Sequence, residues 1–141
     1  MKTTLAALLL LSCLAGKAQT ATDTAQVLRA ANDYIEGFYL GDSTRIYYSV
    51  APDASKHGYA KRRDDTAWRK VPMSFSQMIG FTKNERNRAN ESMAKIRDVQ
   101  ILDMLDKIAV VKLRAWWGID YLLLSKISDR WIIEKVLWQS K

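Results

Sequence analysis

Two carboxylates stand where acid/base chemistry has a use for them. Asp53 follows a proline in VAPDASK, and Asp120 interrupts the apolar run RAWWGIDYLLLSK at residues 114–126. A carboxyl group in apolar surroundings holds its proton to higher pH and can serve as a general acid, or as a base once deprotonated. Strand alternation would put Asp120 on one face with Leu122 and Leu124, and Tyr121 on the other with Ile119 and Leu123. Both faces are then largely apolar. An ionised carboxylate left there unpaired would cost roughly several kcal/mol. The favoured solution is a cross-strand pair with Lys112 or Arg114 of the preceding strand; the alternatives are a pocket acid facing Tyr34, or exposure at the strand end beside Gly118.

Aromatic residues supply the second set of candidates. Tyr34, Phe38, Trp117, Tyr121 and Trp131 can line a cavity and stack on a flat ligand, although at these spacings most also suit a packed core. Alternation sends Trp116 and Trp117 to opposite faces, so one of them at most would see a given cavity.

Other chemistries find little support. One histidine, His57, and one cysteine, Cys13, cannot build the usual nitrogen and sulfur metal sites, and Asp53, Asp64 and Asp65 are not spaced as an all-oxygen site. His57 lies in a charged stretch with no nucleophile identified by spacing. No cofactor is expected. The net charge of +7 is concentrated in SKHGYAKRRDD and TKNERNRANESMAKIR, where acidic residues punctuate the basic ones and regular aromatic interleaving is missing. Solvated loops and strand edges explain these stretches better than a nucleic-acid footprint.

The elements that must position these residues follow from periodicity. Asp23 and Gln26 form a capping pair, and Val27, Leu28, Ala31, Tyr34, Ile35 and Phe38 recur every three or four residues, which predicts a helix over 24–40 stopped by Gly41. A short second helix runs through Ile46, Tyr47 and Val50 and ends before Pro52, leaving Asp53 in a loop. HGYAK and TAWRKV then read as charged edge strands around Arg63-Asp64-Asp65. Ser74 and Gln77 form a capping box, flanked by Met73 and Met78, for a third helix that frays near Lys83. From Ala94 the period becomes two, predicting strands over 94–103, 108–117, 119–125 and 131–139. Links this short make consecutive strands antiparallel neighbours, and helices followed by a meander give an α+β fold.

Residues 1–18 read as a secretory signal peptide: Lys2 is followed by an apolar run from Leu5 to Ala15, with Gly16 and Ala18 at the -3 and -1 positions of a cut before Gln19. That run is about half the roughly 20 residues a spanning helix needs, so no transmembrane helix is expected. Removing Lys2 and Lys17 lowers the charge from +7 to +5. A lipid anchor at Cys13, in LLSC, is the less favoured reading. The expected product is secreted or periplasmic, with one domain over 19–141.

The order of these elements, with YIEGFYLGDSTRIYYSVAPDA at 34–54 and WWGIDYLLLSKISDRWIIEKVLWQ at 116–139, resembles the putative lumazine-binding branch of the nuclear transport factor 2-like superfamily. The resemblance implies a strongly curved antiparallel sheet around the first helix, with an open end that in many relatives holds a small molecule; the aromatic residues named above suit a small aromatic or polycyclic ligand. Relatives include isomerases and dehydratases that work with carboxylates, alongside proteins that only bind or dimerise. In this branch a histidine commonly precedes the Pro-Asp pair; Ala51 replaces it here, which removes a candidate base and turns the reading away from an enzyme. The leading expectation is an exported binding protein. Its alternatives are an isomerase- or dehydratase-like enzyme using Asp53 or Asp120 with Tyr34, and a module without ligand that forms a homodimer through the outer sheet face.

Overall fold

The computed structural model describes the backbone of residues 2–61 and 64–141, and side chains from residue 21 onward within those ranges. The expected signal peptide, its cleavage site and Cys13 lie outside the residues whose side chains are described, as does Arg63 of the expected turn.

Three helical segments precede most of the sheet in the chain. Helix α1 spans Lys2–Leu40 and α2 spans Ser43–Ser49, started by the Asp42 side chain accepting from the Thr44 N–H. Helix α3, Phe75–Lys83, begins at the expected capping box: Ser74 Oγ accepts from Gln77 N and Gln77 Oε1 accepts from Ser74 N. A 3-10 turn at Glu85–Asn87 and the short helix α4, Glu91–Ala94, lead into the meander.

Six strands form one sheet: β1 Val50–Ala60, β2 Arg69–Met73, β3 Asp98–Met104, β4 Ile108–Ala115, β5 Gly118–Ile127 and β6 Arg130–Ser140. Their spatial order is β2-β1-β6-β5-β4-β3. All neighbours are antiparallel except β1 and β6, which pair in parallel. The fold is α+β with a curved, mostly antiparallel sheet, as the sequence implied.

Four expectations need correction. Helix α1 does not start at Thr24: it runs from Lys2, so Asp23 and Gln26 lie within it and do not cap its start. Strand β1 starts at Val50 and carries Asp53 within it, because the chain leaves α2 directly into extended structure rather than a loop. Nor is β1 an edge strand: it sits between β2 and β6, and only β2 is left at that margin. The meander begins at Asp98 rather than Ala94: the Asn90 side chain accepts from Met93 N and caps the helical turn Glu91–Ala94, which takes the first residue assigned to the strand.

The core lies between α1 and the inner sheet face. Val27, Ala31, Tyr34, Ile35 and Phe38 of α1 meet Val111, Leu113, Leu122, Ile133 and Val136 of the sheet, all of them buried. The helical stripe and the period-two stripes are therefore two halves of one apolar layer.

Candidate functional site

Sheet register determines which polar groups meet at the centre of this layer. Asp120 on β5 pairs with Leu113 of β4 on one side and with Trp138 of β6 on the other. Trp138 in turn pairs with Gly58 of β1, two residues from Lys56 on the same strand face. Asp120, Trp138 and Lys56 therefore rise from three adjacent strands toward α1, which contributes Tyr34 and Phe38. Gly58 is a requirement of this layout: a Cβ there would fall 2.3 Å from the Trp138 carbonyl oxygen and 2.4 Å from its ring.

Lys56, Tyr34, Asp120 and Trp117 form a connected network. Lys56 Nζ donates to the Tyr34 hydroxyl, which donates to Asp120 Oδ2 at 2.7 Å. Lys56 Nζ also lies 3.5 Å from Asp120 Oδ2 as an ion pair, and Trp117 Nε1 donates to Asp120 Oδ1 at 2.6 Å. Asp120 and Tyr34 have no exposed surface, and Lys56 retains 7%. Burial, then the charge of Asp120 and its hydrogen bond, pushes the Tyr34 hydroxyl well above its ordinary range. For Lys56 burial dominates and lowers the amine, against the opposing pull of Asp120.

This network overturns the expected pairing of Asp120 with Lys112 or Arg114. Residues directly opposite in an antiparallel ladder share a face. Lys112 is opposite Tyr121 and Arg114 is opposite Ile119, so both cations belong to the outer face, away from Asp120. The partner is Lys56, distant in sequence.

Beside the network opens a cavity of about 210 Å³, lined by Phe38, Lys56, Met73, Phe81, Trp116, Trp117 and Trp138. Phe38 makes edge contacts with Tyr34, Phe81 and Trp117, at centroid separations of 5.1, 5.7 and 5.7 Å. Lys56 Nζ lies 4.9 Å from the centre of the Phe38 ring and 5.9 Å from those of Trp117 and Trp138, within cation-π range. Apart from that amine and the indole nitrogens, the wall is apolar.

Trp116 and Trp117 both reach this cavity, contrary to the expected split. Strand β4 ends at Ala115 and β5 begins at Gly118, which pair with each other, so the two tryptophans are the hairpin turn and strand alternation does not govern them. Their rings touch edge to face at 5.8 Å. The Tyr39 hydroxyl accepts from Trp116 N at 3.1 Å and donates to the Ile96 carbonyl, fastening the turn to α1 and to the start of the meander.

The other candidates fall elsewhere. Tyr121 is 43% exposed on the outer face, where its parity with Lys112 puts it. Trp131 is buried apart from the cavity wall and donates through Nε1 to Asp23 Oδ1 at 3.1 Å, beside the buried Lys126–Asp23 ion pair at 2.8 Å. Asp53 is exposed and does not line the cavity. The structure thus gathers Tyr34, Phe38, Trp117 and Asp120 and leaves out Tyr121, Trp131 and Asp53. Lys56, Trp138, Trp116, Phe81 and Met73 join without having been singled out. For Lys56 a signal existed: Ala54 and Gly58 flank it at period two, small residues that suit a face packed closely from above. Among the described residues no three His, Cys, Asp or Glu side chains cluster, and no helix is long and apolar enough to cross a membrane.

The family model described as putative lumazine-binding matches residues 22–139. The chain belongs to that family. A search of curated protein sequences found no significant match. Similar solved structures include a nuclear transport factor 2-like protein from Shewanella baltica, with TM-score 0.65, 14% identity, and coverage of 86% of this chain and 95% of that one. A nuclear transport factor 2-like protein with a cystatin-like fold from Novosphingobium aromaticivorans gives TM-score 0.59 at 8% identity, covering 92% and 89%. A ketosteroid isomerase-like protein from Erwinia carotovora atroseptica gives TM-score 0.51 at 11% identity, covering 82% and 94%. At these identities the structural likeness establishes the fold, which this member of the putative lumazine-binding family shares; the residues of the cavity must carry the rest.

Proposed function

We propose that this protein is an exported small-molecule binder that holds a flat, one- or two-ring aromatic compound noncovalently in the cavity between α1 and the inner sheet face. The observation that carries the reading is the wall itself, five aromatic rings and a methionine around a single buried amine. Aromatic faces and edges supply contact area for a planar occupant, and a few placed polar groups orient it. A volume of about 210 Å³ is below the roughly 300–1,000 Å³ of drug-sized sites, which limits the occupant to a small ring system. The family's description, lumazine-binding, supports a two-ring heteroaromatic. Export rests on the signal-like sequence of residues 1–18.

Acid/base catalysis by Asp120 fits less well, because both of its oxygens are engaged, by Tyr34 and Trp117, and its carboxyl is not on the cavity wall. The experiment that tests the binding reading is native mass spectrometry of protein purified from its own source, paired with tryptophan fluorescence during titration with lumazine. A retained small molecule, or saturable quenching of Trp116, Trp117 and Trp138, is expected. A protein that carries nothing and shows no saturable quenching would sink the reading.

A second feature supports self-association as well. Tyr59, Tyr121, Leu123 and Leu137 stand 41–46% exposed on the outer sheet face. An apolar sheet face of this kind gains by being covered, and a homodimer would cover it with an identical surface. Sedimentation equilibrium at micromolar concentration tests this; a monomer under those conditions would reject it.

A further inference from the structure

We propose that the ligand of this cavity is a neutral carbonyl compound, its oxygen received jointly by the Lys56 ammonium and the Trp138 indole N–H. The proposal rests on the reading of the cavity as a ligand site and adds the chemistry by which the ligand is chosen.

Two residues of the wall carry donors without enough protein acceptors. An ammonium has three N–H groups. Among the described residues, that of Lys56 makes one hydrogen bond, to Tyr34, and has Asp120 Oδ2 beside it at 3.5 Å. At least one donor remains. Trp138 Nε1 is buried and has no hydrogen-bond partner among the described residues. A buried donor without an acceptor is costly, and most such groups in folded proteins are satisfied.

The wall cannot supply the acceptor itself. Phe38, Met73, Phe81, Trp116 and Trp117 complete it, and a thioether sulfur is at best a weak acceptor. An occupant that brings an oxygen would satisfy these donors. Lys56 and Trp138 stand on neighbouring parallel strands, Lys56 beside Val136 and Trp138 beside Gly58, so the two residues rise from one small region of the inner face.

Charge then selects between a carbonyl and an anion. Lys56 and Asp120 together carry no net charge, and both are buried. A carboxylate ligand would leave one uncompensated negative charge in a site walled by aromatic rings, whose faces are themselves negative. A carbonyl oxygen accepts a charge-assisted hydrogen bond and leaves the balance intact.

Equilibrium dialysis against three two-ring probes tests this: coumarin, with a neutral carbonyl; naphthalene, with no acceptor; and 2-naphthoate, an anion. Coumarin should bind about tenfold more tightly than either of the others, as expected for a hydrogen bond to a charged donor. Trp138→Phe keeps a ring and removes the N–H, and should cut coumarin affinity several-fold while sparing naphthalene. Lys56→Met should abolish coumarin's advantage, and circular dichroism establishes whether that variant folds; Trp138→Phe leaves the Lys56–Tyr34–Asp120 network intact and decides the matter if it does not. Equal binding of coumarin and naphthalene to the unaltered protein, or tighter binding of 2-naphthoate, overturns the carbonyl proposal and leaves the cavity as a ligand site. Binding of none of the three overturns the carbonyl proposal, and with no saturable quenching by lumazine it overturns the ligand site as well.

Discussion

Lys56 Nζ lies 3.5 Å from Asp120 Oδ2 across the inner sheet face, each side chain withdrawn from solvent and each the other's counter-ion. Removing one partner of a buried pair strands the other charge, at a cost of about 3–5 kcal/mol. Asp120→Ala and Lys56→Met should each lower stability by that amount in urea unfolding. The double variant Lys56→Met/Asp120→Leu should lie closer to the parent than either single variant, because it leaves no orphaned charge. Additive losses would show that the two groups act independently.

Tyr34→Phe isolates the bridge between them. Its hydroxyl accepts from Lys56 and donates to Asp120, so the variant deprives two buried partners at once while preserving the ring contact with Phe38. A loss of about 1–3 kcal/mol is expected, read from the shift in the denaturation midpoint at constant slope.

The same hydroxyl makes stability fall in alkali. Tyr34 is held well above its ordinary 10.0 in the folded protein, so above that pH the unfolded chain gives up a proton that the native state keeps. Its contribution is complete below pH 10.0 and is lost as pH rises toward the folded value. Lys56 works in the other direction: its amine is lowered from 10.5, so the unfolded chain holds the proton longer and this contribution improves as pH climbs to 10.5. Above pH 10.5 only the tyrosine effect continues. The difference in stability between the parent and Tyr34→Phe should therefore shrink as pH rises beyond that point; a constant difference would refute the assignment.

At the far end of β5 a turn leaves stability to be gained. Ser128 and Asp129 have φ of 47° and 62°, between the paired residues Ile127 and Arg130, which is the type I′ hairpin geometry favoured by Asn-Gly. Ser128→Asn/Asp129→Gly should raise stability by about 0.5–1 kcal/mol in thermal or urea unfolding.

Much of the fold was legible because its signals are local. The capping box at Ser74 and Gln77, the three-four stripe of α1 and the last turn of the meander, between the strands that end and begin at Ile127 and Arg130, each reside in a few neighbouring residues. The site was less legible because it depends on parity and register. Glu134 is the clearest case: Leu124 pairs with Ile133 but Leu123 pairs with Lys135, so Glu134 is an extra residue in β6. Strict alternation from Trp131 and Ile133 would have turned Trp138 outward, and that bulge turns it in. Lys56 was hidden for another reason. Its charge matched those of its neighbours in SKHGYAKRR, and only the parallel pairing of β1 with β6 brings it onto Asp120's side of the sheet.

The turn made of Trp116 and Trp117 has a consequence for selectivity. Two of the cavity's walls are set by a two-residue connection of the meander, anchored on both flanks by strand pairing and from above by Tyr39. A wall of this kind is already in place before a guest arrives, so little ordering entropy is spent on capture. It also cannot stretch to admit a larger one. The cavity should behave as a rigid gauge, rejecting ring systems by size before any polar group is consulted.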